Sequence, residues 1–508
     1  MKPMQKITTG RCIAAVAPTV MATLAALALG GCAVGPDFKK PDAPAVQRYM
    51  PEPPASGTAA AETAAGNAQS FADGQDIPAQ WWAVFHSEAL NELIAAALRN
   101  NPDLQAAEAA LRATQEGAAA QRGAYFPSVD AHLAPTRQSI APDLASPADL
   151  GNRIYTLHTA QLNISYVPDV FGGNRRQVES LDAQTQAQRF QREAVYLTLT
   201  SNLVAAAIQE ASLREQITAT RAVIALAARQ LEMIRKQKAL GQLAAADVAA
   251  QETVLAQAQA SLPPLEKQLA QQRHLLAVLA GRFPSEDISA RFELSSFTLP
   301  QELPLSLPSR LVEQRPDIRA AEAQWHAASA QVGVAIANRL PNITLTGSVG
   351  SSALELSKLF SGTGFWNIGA DLAQSVFDGG TLRHRQRAAE AAYEQAAAQY
   401  RGTVLVAFQN VADTLQAIQS DASTLAAATV AERAAGNSLA IARRQWELGA
   451  SSIVPVLIAE QAHQQTAIAL VQAQASRYTD TAALFQALGG GWWNRKDAAS
   501  VAALGVAE

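Results

Sequence analysis

The chain states one motif twice, and this duplication limits its architecture more than any other feature. Asn101-Pro-Asp-Leu-Gln-Ala-Ala-Glu-Ala-Ala-Leu-Arg112 returns as Arg315-Pro-Asp-Ile-Arg-Ala-Ala-Glu-Ala-Gln-Trp-His326. Pro102 and Pro316 are 214 positions apart, and so are Pro127 and Pro341. Val170-Phe-Gly-Gly173 answers Val376-Phe-Asp-Gly-Gly380 with one inserted residue. Arg235, Gln237, Leu240-Gly241 and Glu252 answer Arg443, Gln445, Leu448-Gly449 and Glu460 at a steady offset of 208. An offset held over such lengths means two copies of one unit, so the fold must be pseudo-repetitive.

Each copy carries one hairpin. After Pro127, Val129, Ala131 and Leu133 alternate with Ser128, Asp130 and His132; Ala160, Leu162, Ile164 and Tyr166 then alternate with Thr159, Gln161, Asn163 and Ser165. The second copy repeats the pattern with Ile343, Leu345, Gly347 and Val349, then Trp366, Ile368, Ala370 and Leu372. A period of two over about 10 residues fits a half-buried strand or a tilted strand crossing a bilayer. Four strands cannot close a barrel, because roughly eight are needed and open edges are not tolerated in lipid. Several chains must therefore contribute; two would give eight strands and a filled lumen, three would give twelve and room for water.

Long helices follow each hairpin. Asn174 to Leu240 contains no proline or glycine and, at ~1.5 Å per residue, predicts on the order of 100 Å of helix. Phe190, Leu197, Val204 and Ala211 recur at sevens, and Ala227, Leu231 and Ile234 continue a three-four spacing, as in a coiled-coil seam. Leu240-Gly241 is a helix stop. A return helix from Ala244 to Ser261 is expected to break before Pro263-Pro264 starts another to Gly281. The second copy gives Thr381 to Leu448, the turn Gly449-Ala-Ser-Ser452, and Ile453 to Leu488. A helical hairpin of this length buries little alone, so it requires neighbours.

At the N-terminus, Lys2, Lys6 and Arg11 precede an uncharged apolar run from Cys12 to Leu29, the layout of a secretory signal. Leu29-Gly30-Gly31-Cys32 matches a lipobox, which makes Cys32 the acylated first residue of the mature chain. Ala33 follows where lipoprotein sorting would place Asp to retain the chain at the inner membrane, so release to the outer membrane is expected. The mature chain would then have no free thiol. Ala33 to about Pro78 is rich in Pro, Ala, Gly and Thr and reads as an extended leash; order is expected to resume at Trp81-Trp-Ala-Val-Phe85 and a helix from Ser87 to Asn100. A net charge of −4 and a pI near 6.0 give no basic footprint for nucleic acid. No phosphate loop with its lysine is present, and the seven histidines are scattered without ligand spacing. No catalytic, cofactor or metal site is expected.

The boundaries that follow are 1–31 for the signal, 32–80 for the leash, 81–300 for the first repeat (hairpin about 127–171, long helices 174–281), 301–491 for the second (hairpin about 341–377, long helices 381–488), and 492–508 for a tail. Cys32-Ala-Val-Gly-Pro-Asp-Phe38, Trp81-Trp-Ala-Val-Phe85, Leu98-Arg-Asn-Asn-Pro-Asp-Leu104, the paired Leu-Gly tips and Ala487-Leu-Gly-Gly-Gly-Trp492 resemble the outer membrane factor family, the TolC-like exit ducts, in its lipoprotein branch serving resistance-nodulation-division pumps. The resemblance covers essentially the whole mature chain. It implies a mainly α fold with a membrane β-barrel: a homotrimer with a twelve-stranded barrel in the outer membrane and an α-helical tunnel across the periplasm, passing cargo from an inner-membrane pump through a periplasmic adaptor and catalysing nothing. It also implies that Arg235, Gln237, Leu240, Gly241, Asp247 and Gln251 at the first tip, and Arg443, Arg444, Gln445, Leu448 and Gly449 at the second, meet the adaptor. Val454, Pro455 and Ile458 would line the periplasmic constriction where relatives often carry acids, so an apolar ring of Ile458 is expected there, with Asp247 the one nearby acid. A type I secretion duct uses the same fold, and a periplasmic coiled-coil adaptor or scaffold is the alternative of a different class.

Overall fold

The computed structural model describes residues 33–52, 55–139 and 154–495. The signal segment, Cys32, the loop of the first hairpin and the tail from 496 lie outside the described residues. In chain order the elements are β1 (Ser70–Asp73), α1 (Glu88–Asn100), α2 (Pro102–Arg122), β2 (Ser128–Ser139), β3 (Ile154–Tyr166), α3 (Gly173–Ala239), α4 (Ala245–Leu279), β4 (Glu302–Leu305), α5 (Pro308–Gln314), α6 (Pro316–Ala337), β5 (Asn342–Ala353), β6 (Gly364–Ala373), α7 (Thr381–Glu447) and α8 (Val454–Ala487). The two copies appear as α2-β2-β3-α3-α4 and α6-β5-β6-α7-α8, and α3 and α7 are both 67 residues long. The chain divides into two compact units: one of residues 1–40, 112–187 and 322–399, the other of 41–111, 188–321 and 400–508.

The first unit holds a four-stranded antiparallel sheet in the order β2-β3-β5-β6. Its register aligns the alternation across all four strands. Ala131 pairs with Leu162, Leu162 with Val349, and Val349 with Trp366; one row further, Val129, Ile164, Gly347 and Ile368 align. On the opposite face Asp130, Asn163, Ser348 and Asn367 form one row. Side chains alternate faces along each strand, so one face is apolar and the other polar. The apolar face is bare within the chain: Leu133, Trp366, Ile368 and Leu372 are all more than two-thirds exposed. Strands β2 and β6 pair on one side only.

In the second unit the seams are buried as the heptad spacing requires. Phe190, Leu197, Val204, Ala211, Ala227, Leu231 and Ile234 of α3 are all buried. Helix α7 buries Tyr400, Val404, Ala407, Val411, Leu415, Ile418, Ala422, Leu425 and Thr429, a run of three- and four-residue steps; every such Leu or Ile removed from water contributes about 1.5–3 kcal/mol. Trp81 stacks on Phe485 at 5.5 Å, and Phe85 meets Tyr478 edge-on at 6.3 Å, beside Ile77, Leu90 and Ile94.

Two expectations are corrected. The segment 32–80, expected as an extended leash, is held to the rest of the fold at several points, and from Thr58 onward it forms part of a sheet and core. Strand β1 pairs in parallel with β4, Ser70 opposite Glu302, and Gln69 is buried. The cause is Arg477, only 1% exposed, whose Nη2 donates to Thr58 Oγ1 (3.2 Å) and Gln69 Oε1 (2.8 Å). A buried guanidinium needs acceptors, and this segment supplies them. The second correction concerns α4, which runs unbroken through Pro263 and Pro264. The rings remove the donors that would meet the carbonyls of Gln259 and Ala260. Both of these residues are exposed, so water can take those carbonyls and the helix tolerates the loss.

Candidate functional site: the two helix-turn-helix tips

Both tips end in the same backbone device. At the first, Gln242 N–H donates to Gln237 O (3.0 Å) and Gly241 N–H to Lys238 O (2.9 Å); at the second, Ala450 N–H donates to Gln445 O (2.8 Å) and Gly449 N–H to Trp446 O (2.9 Å). This 6→1 plus 5→2 pairing is a Schellman motif, which requires a left-handed residue at the turn. Gly241 at φ +74 and Gly449 at φ +72 supply it. The far ends of the hairpins repeat it at Gly281 and Gly489. Leu-Gly is thus a turn signal with a geometric cause.

The tips share one apolar core of Leu231 and Ile234 from α3, Val248 from α4, Leu439 and Ala442 from α7, Ile453 just before α8, and Val456 and Ala459 from α8. Three of these pairs, Leu231 with Leu439, Ile234 with Ala442 and Val248 with Val456, are related by the 208 offset. Outside that core the apolar residues at the turns face solvent: Leu240 is 73% exposed, Leu448 66%, Ile458 65% and Val454 51%. Pro455, Arg444 and Gln445 are exposed as well, while Gln237 is half-buried.

Charged residues near the turns are partly committed. Arg235 Nη2 lies 2.7 Å from Glu252 Oε1, both about half exposed. Arg443 Nη2 lies 2.9 Å from Glu460 Oε1, whose side chain is 5% exposed. Burial holds the Glu460 carboxyl above its ordinary range, against the lowering effect of Arg443, and its Oε2 makes no hydrogen bond. Arg444 sits 3.5 Å from Glu447. Asp247 Oδ2 accepts the Ala244 N–H (3.0 Å) and caps the start of α4. It is therefore engaged with its own backbone. Gln251 is fully buried, donating from Nε2 to Ala227 O (3.1 Å). It stands inside the hairpin and presents nothing to a partner.

Farther along the second hairpin lies a carboxyl pair that no motif marks. Asp421 of α7 is pushed up to about 7, by burial first and then by a hydrogen bond with Asp480 of α8, while Arg477 pulls it down. Such a carboxyl pair is invisible to sequence, because 59 positions separate its members and only the α7–α8 packing joins them. Glu252 and Glu460, in contrast, could have been found from a 17-residue Arg-to-Glu spacing that both copies share. Among the described residues no group of three or more His, Cys, Asp or Glu could hold a metal.

A family model described as outer membrane efflux protein matches residues 93–282 and 307–490, one stretch per repeat. The pyoverdine export outer membrane protein OpmQ of Pseudomonas aeruginosa is 31% identical over 445 residues, 87% of this chain and 93% of that protein. Among solved structures, the outer-membrane channel OprN superposes with a TM-score of 0.79 at 27% identity, over 91% of this chain and 100% of that one. VceC of Vibrio cholerae does so with a TM-score of 0.76 at 28% identity, over 82% and 100%. The duplicated sequence, the one-sided sheet and the paired tips are those of an efflux channel, and the chain belongs to the outer membrane efflux protein family.

Proposed function

We propose that three copies of this chain close a twelve-stranded barrel in the outer membrane and form the passive exit duct of a tripartite resistance-nodulation-division efflux system. The observation that carries this reading is the sheet with one apolar face, one polar face and two unpaired edges. Unpaired edges cannot stand in lipid, so the edge of β6 pairs with β2 of the next copy. Three copies put the polar rows around a wet lumen, whereas two would leave a lumen filled by side chains. Cys32, acylated, anchors the mature chain to the same membrane. The duct itself catalyses nothing; opening comes from its partners.

At the tips, Leu240, Leu448, Arg444, Gln445 and the Gly241 and Gly449 turns form the surface for the periplasmic adaptor. Arg235 and Arg443 contribute from within their ion pairs, and Gln237 from its half-buried place. Val454, Pro455 and Ile458 line the periplasmic aperture, where three copies of Ile458 close it by apolar contact and dewetting.

The mass of the detergent-extracted outer-membrane protein tests the assembly. A lipid-modified trimer supports the duct, and a soluble periplasmic monomer overturns it in favour of a scaffold. Ile458→Asp tests the aperture: three carboxylates there should raise cation selectivity in planar bilayers, and unchanged reversal potentials would remove Ile458 from the conducting path.

A further inference from the structure

The six residues after the lipobox cysteine are seated in a built site within the first unit. Val34 N–H donates to Phe171 O (3.1 Å). Arg176, whose side chain is 6% exposed, gives its Nε to Val34 O (3.1 Å), its Nη2 to Asp37 Oδ1 (2.6 Å) and its Nη1 to Glu179 Oε2 (2.7 Å). Phe38 stacks on His326 at 4.5 Å, meets Trp325 edge-on at 5.5 Å, and His326 Nε2 lies 2.9 Å from Glu179 Oε1. The backbone fits so closely that a Cβ added to Gly35 would come within 2.4 Å of Gly333 Cα, and one added to Gly172 within 2.5 Å of Ala33 Cα.

The second copy supplies a control inside the same molecule. Its elbow, Phe377-Asp-Gly-Gly380, is capped like the first: Asp378 accepts the Gly380 and Leu382 N–H groups (both 2.8 Å), as Asp169 accepts those of Asn174 (2.9 Å) and Arg175 (2.8 Å). Yet Val376 is 96% and Phe377 91% exposed, and a Cβ on Gly379 would meet nothing. Capping is common to both elbows. Cover by Ala33–Phe38 belongs to the first alone.

We infer that the start of α3 and the outer half of α6 form a receptor for the chain's own N-terminal segment, and that seating Ala33–Phe38 there ties the acyl anchor to the strand-helix elbow of the first repeat. The inference rests on Cys32 being the acylated residue. Ala33 is joined directly to the acylated residue, so holding Ala33–Phe38 at Phe171–Gly172 leaves only one peptide link, ~3.8 Å between Cα atoms, between the seated segment and the anchor. The segment also touches both copies, α3 through Arg176 and α6 through Gly333, Trp325 and His326. The duplicated halves are thereby strapped together beside the point where lipid is attached.

The test is limited trypsin digestion of the full-length protein extracted in mild detergent, where both faces are accessible, following the new N-terminus at Lys40 that cleavage after Lys39 creates; the next bond precedes Pro41 and resists cleavage. Gly35→Leu, which alters only the strap, and Arg176→Met, which removes its charged hub, should each speed that cleavage by about tenfold, because a seated segment is cut only when it opens. Palmitate labelling on Cys32 should be unchanged in both. Unchanged cleavage in Gly35→Leu overturns the receptor, whatever becomes of Arg176→Met. Wild-type protein without palmitate but with slow cleavage would refute the anchor and leave the receptor standing.

Discussion

The two helix-turn-helix tips have the same turn, the same core positions and the same 17-residue Arg-to-Glu spacing, yet they bury opposite things. In the first, Glu252 stays near the surface and its neighbour Gln251 goes inside. In the second, the position matching Gln251 is Ala459, and the carboxylate of Glu460 goes inside. The polar group that enters the hairpin has moved by one residue and gained a charge. A duplicated backbone therefore fixes where helices turn and which apolar residues meet, and leaves open how each copy spends its buried polar positions. At its tip the second hairpin carries an ionisable group inside, Glu460, where the first carries an amide, Gln251; farther from the tips both hairpins hold carboxylates, Glu210 buried on α3 and Asp421 half-buried on α7.

The largest expected difference follows from removing the arginines. Arg443→Ala leaves a buried carboxylate without its partner and should cost about 3–5 kcal/mol of local stability. Arg235→Ala breaks an exposed pair and should cost below about 1 kcal/mol. Opening free energies from amide exchange at the ends of α7–α8 and α3–α4 report the two losses separately. Equal losses would erase the contrast between the tips. Adding Glu460→Leu to Arg443→Ala should recover much of the larger loss, because the uncompensated charge goes with it.

The next difference is in pH dependence. Asp421 is held at about 7 against an ordinary 3.8, and Glu460 is also held above its ordinary range. Between the unfolded and folded values the unfolded chain binds fewer protons, so the stability these groups contribute is fully present in acid and is lost as pH rises through the folded values. The α7–α8 hairpin should open more readily as pH rises from about 4 to about 7, the window set by Asp421. Exchange rates corrected for intrinsic pH dependence should show the rise there, and Asp421→Asn should flatten its main part. An equal rise at the α3–α4 tip would mean that the buried carboxyls are not its source.

Much of this was legible in the chain. The 208 and 214 offsets revealed the duplication, the proline-free runs marked the long helices except for the expected break in α4, and the alternation from Val129 to Leu133 and from Trp366 to Leu372 foretold a sheet with two unlike faces. Heptad spacing named the buried side of α3 from Phe190 to Ile234 because helix periodicity is local. What stayed hidden depends on contacts between distant positions. Strands β1 and β4 are four residues each, too short for a period, and they form where Gln69 and Thr58 meet Arg477. The unbroken α4 defied its proline pair because the affected carbonyls belong to exposed residues, Gln259 and Ala260, that water can reach. Gln251 looked like a surface residue beside Glu252, and only the pairing of α3 with α4 turns it inward. The seat of Ala33–Phe38 depends on glycines at 172 and 333 that no spacing connects.

The smallest effect should also be the same at both tips, which makes it the sharpest check that their difference lies in buried polarity. Gly241 and Gly449 have matching positive φ, and an added Cβ at either would meet no atom within 4 Å. Alanine there meets only the intrinsic penalty of the left-handed region, about 1 kcal/mol, with no packing cost at either tip. Gly241→Ala and Gly449→Ala should therefore raise local opening at their own tips by similar factors, and the double variant should show the two effects added, since a Cβ at either glycine meets no neighbour through which the other could act. A markedly larger cost at Gly449 would place part of the asymmetry in the turns themselves. The ion pairs would then follow from a difference in backbone rather than being the difference.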